Sequence, residues 1–377
     1  MQFKNFYATI LFSILLFSCV KKPHDVGKDL ISSDEYYSIK DTVITNPIIE
    51  NYKFTTPFGT SGTMVFGKND SLEAISIFNF SYLINDSLKN VKIDSVELTF
   101  ISNYNYNISS GKSEFEIYEM PSSWIASSIT GDSIKNINFV NKLGIISDTV
   151  SNLKMFKAAI DTNIIRKLIS SAVDSTKPKF YGFAIKSKIS TKGFFGFNSF
   201  QSYFPPTIKI KFSKNNKNDS LIFGSGASTF GVIEKIPSLP NQNNLIIQAG
   251  VNLRSKIIFD LKNIPSTAII NKATLELELS KKQIGNGTFD SLVVTLVRGN
   301  SAKDSLFLFP LYLFKQTADS LSYMANLSLY AQSWVIDSTK NLGFVIRANA
   351  ENASLNKHEF ILQNNSKPKL KITYSQK

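Results

Sequence analysis

Residues able to do covalent or metal chemistry are scarce in this chain. Its 377 residues include one cysteine, Cys19, and two histidines, His24 and His358. This inventory excludes a metal site built from several histidines and cysteines, a disulfide framework and a Cys–His catalytic pair. The Gly-x-Ser-x-Gly and His-Glu-x-x-His motifs are also absent. We expect His24 to lie in a tether, and His358, near a strand end, to be a surface residue.

Carboxylates remain available, because a pair of acids can cleave a glycosidic bond without histidine or cysteine. The acids here lie on alternating strands or in Asp-Ser turns, where solvated and capping roles are usual. We therefore expect no enzyme activity, no catalytic residues and no cofactor, with a carboxylate-based glycan hydrolase or lyase as the least favoured alternative. A structural Ca²⁺ stays open, although Lys68-Asn69-Asp70 and Lys217-Asn218-Asp219 resemble turns rather than dense acidic loops.

Aromatic side chains offer another kind of chemistry, because an exposed ring can stack on the apolar face of a sugar. Residues 103–107 alternate asparagine with tyrosine, and residues 193–204 form an aromatic-rich, glycine-interrupted hairpin. Tyr104, Tyr106 and Tyr203 are the favoured ligand contacts, since a phenol tolerates water at one end. The alternative is that the rings of these stretches alternate into the core, and we expect this of at least half of them.

The two tryptophans are expected in different surroundings. Trp124 follows Pro121-Ser122-Ser123 and is a candidate platform at a loop edge. Trp334 has the apolar neighbours Val335 and Ile336 and is expected in the core.

The N-terminus predicts the compartment. Lys4 precedes an apolar stretch at 6–17, which is too short to span a bilayer and reads as a signal peptide covering residues 1–18. It ends in Leu16-Phe17-Ser18-Cys19, which resembles a bacterial lipobox. The resemblance implies cleavage before Cys19 and acylation of it, and several acyl chains suffice for stable anchoring. The alternative is an ordinary signal peptide followed by a chance cysteine.

The chain is basic, with a formal net charge of +13. AT-biased coding, which enriches lysine, asparagine, isoleucine and phenylalanine, is the favoured explanation. Attraction to an acidic polysaccharide or an anionic lipid is the alternative. We expect no nucleic-acid partner, because the compartment is wrong and no run of five or more basic residues occurs.

Alternating patterns predict an all-β fold. In the stretch 91–100, Val96, Leu98 and Phe100 share one face, and Ile208 and Ile210 do so in 207–212. A period of two with one polar face is typical of antiparallel sandwich sheets. Residues 19–40 lack a period and predict a flexible tether.

Internal similarity predicts a tandem duplication. Five segments recur in the same order at offsets of 161–181 residues, among them an identical Asp-Ser-Thr-Lys at Asp174 and Asp337. The units are placed at 41–214 and 215–377, each a jelly-roll β-sandwich, with a polar linker at 214–218. Apolar residues from Leu153 to Leu168 predict one short helix in the first unit, with a counterpart near 326–334.

In the second unit, Arg254 lies in a strand ending Phe259-Asp260-Leu261, which is followed by Ile264-Pro265 and then by Ala273-Thr274-Leu275-Glu276-Leu277. On these features the second unit resembles the DNRLRE-type domain over most of 245–374. The resemblance implies a jelly roll similar to carbohydrate-binding modules of alginate-degrading and other polysaccharide-acting enzymes. The first unit fits less well. Gly27-Lys28-Asp29-Leu30-Ile31 and Asp94-Ser95-Val96-Glu97-Leu98 also resemble a family of Bacteroidetes-type lipoproteins of unknown function.

Arg254 has two possible roles. It can form a structural ion pair with Asp260 or Glu276, which we favour, or contact a ligand on an open sheet face.

Together these patterns predict a non-catalytic, lipid-anchored cell-envelope protein that binds polysaccharide through two jelly-roll modules. The expected location is the outer membrane, with its periplasmic or surface side left open. The alternative is an adhesin or assembly lipoprotein that binds another protein of the envelope.

Overall fold

The protein is all-β in the computed structural model. The described residues are 37–377 except 55–56, 58, 81–87, 89, 108–111, 150–153, 175, 178, 189–191, 236–243, 287–290, 298–310, 316–320 and 363–366. Cys19, His24 and the expected signal peptide therefore lie outside the described residues. None of the helices in the described part of the chain has the length and apolar character needed to cross a membrane.

The strands follow one another through the described chain with few helices between them. They are β1 (Ser38–Ile44), β2 (Ile48–Lys53), β3 (Thr63–Lys68), β4 (Leu72–Asn79), β5 (Lys92–Tyr106), β6 (Lys112–Glu119), β7 (Lys142–Thr149), β8 (Met155–Ile160), β9 (Phe183–Ser187), β10 (Gly193–Asn198), β11 (Thr207–Lys214), β12 (Lys217–Gly224), β13 (Ala227–Glu234), β14 (Asn244–Gln248), β15 (Leu253–Ile258), β16 (Ile269–Glu278), β17 (Lys281–Gln283), β18 (Leu292–Leu296), β19 (Leu311–Lys315), β20 (Ser322–Asn326), β21 (Phe344–Ala348), β22 (Lys357–Ile361) and β23 (Lys369–Gln376). The helices are α1 (Gly131–Lys135), α2 (Thr162–Val173) and α3 (Ser328–Ile336).

Two large antiparallel sheets each curl over a hydrophobic core, which gives two jelly-roll-type sandwiches. The first sandwich has the strand order β12-β11-β5-β10-β3-β4-β9-β6-β7, with β13 on β4 and β8 on β5. The second sandwich has the order β1-β23-β16-β20-β19-β18-β21-β15-β14-β22-β17, with β2 on β15. The expected all-β sandwich fold is therefore confirmed.

The two sandwiches do not coincide with the two expected units, because each expected unit contributes two strands to the sandwich of the other. The N-terminal β1 and β2 pair with β23 and β15 of the second sandwich. In the same way, β12 and β13 pair with β11 and β4 of the first sandwich. The first sandwich is thus a continuous stretch of chain inserted between β2 and β14 of the second. Ser38–Ile44, of which 38–40 were expected to belong to the tether, is a sheet strand.

The expected linker at 214–218 is instead a tight hairpin between β11 and β12. Lys214 pairs with Lys217 across it. Asn215 and Asn216 between them have φ values of 50° and 64°. Two successive left-handed residues make the turn that best fits the twist of a hairpin, and asparagine tolerates this conformation. A polar run was therefore consistent with a turn as well as with a linker.

The pairing patterns of the two sandwiches correspond strand by strand. β4 lies between β13 and β9 as β15 lies between β2 and β21. Likewise, β11 lies between β12 and β5 as β23 lies between β1 and β16. Four of the five pairs of matching segments thus fall on strands with equivalent neighbours, and the fifth, at Asp174 and Asp337, directly follows α2 and α3.

Phenylalanine rings fill the core of the first sandwich. The centroids of Phe66 and Phe115 are 4.9 Å apart, and those of Phe100 and Phe197 are also 4.9 Å apart. Each such buried ring contributes about 1.5–3 kcal/mol. In the second sandwich Trp334 is buried and stacks on Phe344, as expected of a core tryptophan.

The predicted helix before Asp174 is shorter than its apolar pattern. Residues Met155–Ile160 form β8, in which Phe156, Ala158 and Ile160 alternate into the core. The helix α2 begins only at Thr162, because the Asp161 side chain caps it by accepting the N–H of Asn163. In so short a stretch, the apolar spacings of three or four that indicate a helix cannot be told apart from the period of two that indicates a strand.

Candidate functional site

Tyr104 and Tyr106 are buried between the two sandwiches, so the expectation that they are exposed ligand contacts is wrong. Both lie on one face of β5 and pack with Val65 of β3 and Phe194 of β10, in a cluster that also contains Leu355 of the second sandwich. Alternation along β5 places the two tyrosines on the same side, but it does not indicate that a second sandwich covers that side.

The hydroxyl of Tyr104 completes a hydrogen bond across this interface. It accepts the N–H of Leu355 at 2.9 Å and lies 3.4 Å from the Asn356 amide oxygen. Gly285 is required beside the ring, because a Cβ there would lie 2.2 Å from Tyr104 Cε2. Burial raises the pKa of Tyr104 far above its usual range, and the pKa of Tyr106 to about 12.

Further contacts hold the sandwiches together. The backbones of Asn105 and Asn286 exchange hydrogen bonds of 2.9 and 3.3 Å. Lys53 at the end of β2 forms an ion pair with Glu234 at the end of β13, two positions that are equivalent in the internal repeat. These contacts, together with the insertion of the first sandwich between β2 and β14 of the second, join the two sandwiches.

Arg254 forms a buried ion pair, and its partner is neither Asp260 nor Glu276. Its Nε and Nη2 donate to the two carboxylate oxygens of Glu351, each at 2.8 Å. Its guanidinium also stacks on Phe54, 4.0 Å from the ring centroid. With 4% of its surface exposed, Arg254 has the geometry of a structural residue rather than a ligand contact.

The two expected partners of Arg254 are engaged elsewhere. Glu276 forms an ion pair of 2.7 Å with Lys371 on the neighbouring strand, and the Asp260 side chain accepts the N–H of Lys262. Sequence reasoning found the ion pair but not its partner, because Glu351 lies in a loop 97 residues away.

Trp124 and His358 are both less exposed to solvent than the sequence analysis expects. The Trp124 indole N–H donates to the carbonyl of Tyr181 at 2.8 Å, and the half-buried ring packs on an outer cluster of the first sandwich. His358 is buried in β22, edge-on to Tyr323, so the expectation of a surface histidine is wrong. The residue lies between two paired strands, β14 and β17, which sequence spacing does not indicate.

Tyr203 is the predicted ligand residue that does project into solvent. It is 91% exposed, and the neighbouring Phe204 is 58% exposed. Their ring centroids are 4.7 Å apart and the rings are nearly perpendicular, at 89°. Both belong to residues 199–206, between β10 and β11, which we call the aromatic loop.

Hydrogen bonds fix the backbone of the aromatic loop. The Asn198 side chain donates to the carbonyl of Phe204 at 3.0 Å, and the N–H of Phe200 donates to the Ser228 hydroxyl at 3.2 Å. At the end of the loop, the N–H of Ser225 donates to the carbonyl of Pro206 at 2.8 Å. The exposed rings are therefore presented on a defined backbone, which lowers the entropy lost on binding.

Amide side chains from both sandwiches flank the loop. Gln201 donates to the Thr60 hydroxyl at 3.2 Å, and Asn352 of the second sandwich donates to the Thr60 carbonyl at 3.1 Å. Aromatic faces bind the C–H groups of a sugar, and amides bind its hydroxyls. The sequence analysis named the stretch 193–204 without singling out Phe204 or Gln201, and it missed Asn352. Phe204 precedes two prolines that keep it out of a strand.

A cleft lies between the two sandwiches. This cleft has a volume of about 490 Å³ and is lined by Lys53, Phe54, Asp132, Lys135 and Glu234 among others. Its two acids are candidates for a hydrolytic pair, but the Glu234 carboxylate is bound to Lys53. Among the described residues no group of three or more potential metal ligands occurs.

In comparisons with known proteins, no family model matches the chain and no curated protein matches its sequence.

Proposed function

We propose that the protein is a non-catalytic, lipid-anchored protein of the cell envelope that binds polysaccharide at the aromatic loop. The observation that carries the proposal is the exposure of Tyr203 and Phe204 on a hydrogen-bonded loop. Leaving two large rings in water is unfavourable for a folded chain, and an exposed aromatic pair beside polar groups is suited to a ligand.

The chemistry of the loop favours a sugar ligand. Perpendicular rings offer both a face and an edge, so that a sugar ring can stack on one residue while its edge contacts the other. Gln201 and Asn352 supply amide donors and acceptors for hydroxyl groups. The formal net charge of +13 would suit an acidic glycan, although neutral glycans belong in the same test.

Glycan binding is tested by applying purified residues 20–377 to an array of acidic and neutral polysaccharides and to affinity gels. Retention on at least one glycan class supports the proposal. The absence of retention on every acidic and neutral glycan would overturn it.

An adhesin or assembly protein is the second candidate. It is favoured by β12, the last strand of the first sheet in the described chain, on which Ile222 is exposed. An end strand with an exposed aliphatic side chain can pair with a strand of another protein. A partner recovered from envelope extracts, together with no glycan binding, would select this candidate.

Lipid anchoring is tested separately at Cys19. Globomycin should accumulate the precursor, and labelled palmitate should be incorporated into the wild-type chain but not into Cys19→Ala. An unchanged band and unchanged labelling in Cys19→Ala would overturn the anchor without affecting the glycan proposal.

A further inference from the structure

The strand β1 is the first described element after the expected lipid anchor, and it begins at one end of the second sandwich. Residues 20–36 lie between Cys19 and the first described residue, Tyr37. At about 3.5 Å per residue, this stretch spans at most about 60 Å. If Cys19 is acylated, the start of β1 stays within that distance of the bilayer surface.

Exposed apolar side chains gather at this end. Ile39 on β1 and Ile269 on β16 both lie beside Ser375 of β23, so the three residues form one cross-strand row. Ile39 is 71% exposed, and Ile269 and Tyr37 are each exposed over about half of their surface. Together these side chains form a small, largely apolar patch at the strand ends.

Two lysines flank the patch. Lys377 lies over the Tyr37 ring, with its Nζ 5.8 Å from the centroid, and Lys272 is exposed on the adjoining β16. The nearby acid Asp41 accepts a hydrogen bond from Thr373. Long lysine side chains can place their stems against acyl chains while the ammonium groups stay among lipid phosphates. We call this set, Tyr37, Ile39, Ile269, Lys272 and Lys377, the anchor-side surface.

The geometry points to a membrane contact: we infer that the anchor-side surface rests in the headgroup layer of an anionic membrane. This inference depends on the proposed acylation of Cys19. A tethered surface needs little intrinsic affinity, since the tether keeps it at high effective concentration near the bilayer. Each lysine adjacent to an anionic leaflet strengthens binding by about fivefold. The contact would orient the second sandwich toward the bilayer.

The first sandwich provides a matched control. Ile222 on β12, the strand equivalent to β1, is 62% exposed, close to the value for Ile39. Residues 20–221 separate it from the expected anchor. Ile222→Glu therefore places the same charge on an equivalent, untethered strand.

Hydrogen–deuterium exchange of the lipidated full chain tests the inference. The protein is reconstituted in vesicles of phosphatidylcholine and phosphatidylglycerol and compared with the acylation-deficient Cys19→Ala chain without vesicles. We expect slower exchange in peptides covering Ser38–Ile44, Ile269–Glu278 and Lys369–Gln376 of the wild type. Ile39→Glu/Ile269→Glu should abolish this protection and Ile222→Glu should not, and Lys272→Gln and Lys377→Gln should each weaken the contact by about fivefold.

Equal exchange at the anchor-side surface with and without vesicles would overturn the inference. Equal loss of protection in Ile222→Glu and in the double variant would also overturn it, and so would protection that is unchanged in vesicles of phosphatidylcholine alone. Palmitate labelling separates the two proposals: a labelled chain without protection contradicts only the surface, whereas an unlabelled chain contradicts the anchor.

Discussion

Removing Glu351 should destabilise the protein far more than removing an exposed partner of a similar ion pair. In Glu351→Ala, the buried Arg254 loses two hydrogen bonds of 2.8 Å, and Arg347, 3.7 Å from the same carboxylate, loses its nearest acid. Leaving one partner of a buried pair without its counter-charge costs about 3–5 kcal/mol. The exposed Lys157–Glu97 pair, at 2.9 Å, should be worth less than about 1 kcal/mol.

The assay is urea unfolding followed by circular dichroism and by tryptophan fluorescence. Because the first sandwich is inserted into the second and packs against it through a buried interface, we expect both probes to report one transition. A Trp124→Phe background leaves Trp334 as a reporter inside the second sandwich. The variants are Glu351→Ala, Arg254→Met, the pair Arg254→Met/Glu351→Leu, and the control Glu97→Ala.

The double replacement should recover most of the loss, because an apolar pair of similar volume removes the stranded charge. It should also retain glycan binding, since Arg254 is buried behind Glu351 and Phe54. A Glu351→Ala penalty no larger than that of Glu97→Ala would refute this account of Arg254. So would a stable, folded Arg254 variant that has lost glycan binding.

Three other predictions concern the interface between the sandwiches. Tyr104→Phe removes the acceptor of the buried Leu355 N–H and should cost about 1–3 kcal/mol, read from the urea midpoint; no shift would contradict the hydrogen bond. Gly285→Ala should lower the melting temperature, because the added Cβ would overlap the Tyr104 ring; an unchanged melting temperature would contradict the close approach. Burial raises the pKa of Tyr106 from about 10 to about 12, so its contribution to stability is full below pH 10 and is lost as the pH rises through 12. Thermal scans from pH 9 to 12 should show that decline, with a shallower slope in Tyr106→Phe than in the wild type.

The faces of the strands could be predicted from the sequence. Val96, Leu98 and Phe100 are buried as their alternation indicates, and so are Ile208 and Ile210. A period of two specifies which side chains point inward because successive side chains of a strand lie on opposite faces. It says nothing about which strand lies alongside. The pairing of β1 with β23 joins Ser38 to Gln376, and no local pattern identifies partners so far apart.

The same limit explains the outcome for the candidate site. Tyr104 and Tyr106 belong to a strand face that would be open in an isolated sandwich and is covered here by the second one. Tyr203 lies instead in a loop before Pro205 and Pro206, where neither alternation nor strand pairing can bury it. The exposure of Tyr203 could be predicted because it depends on the local backbone of the loop. The burial of Tyr104 and Tyr106 could not be predicted because it depends on residues of the second sandwich that are far away in sequence.

The most direct test of glycan binding at the aromatic loop is a calorimetric titration of the best glycan from the array. Tyr203→Ala/Phe204→Ala should weaken the affinity by about tenfold or more, equal to about 1.4 kcal/mol. Tyr312→Ala, which removes a half-exposed tyrosine from β19 of the second sandwich, should leave the affinity unchanged. Equal affinities for the wild type and the double variant, with both folded, would contradict the proposal that the aromatic loop is the binding site.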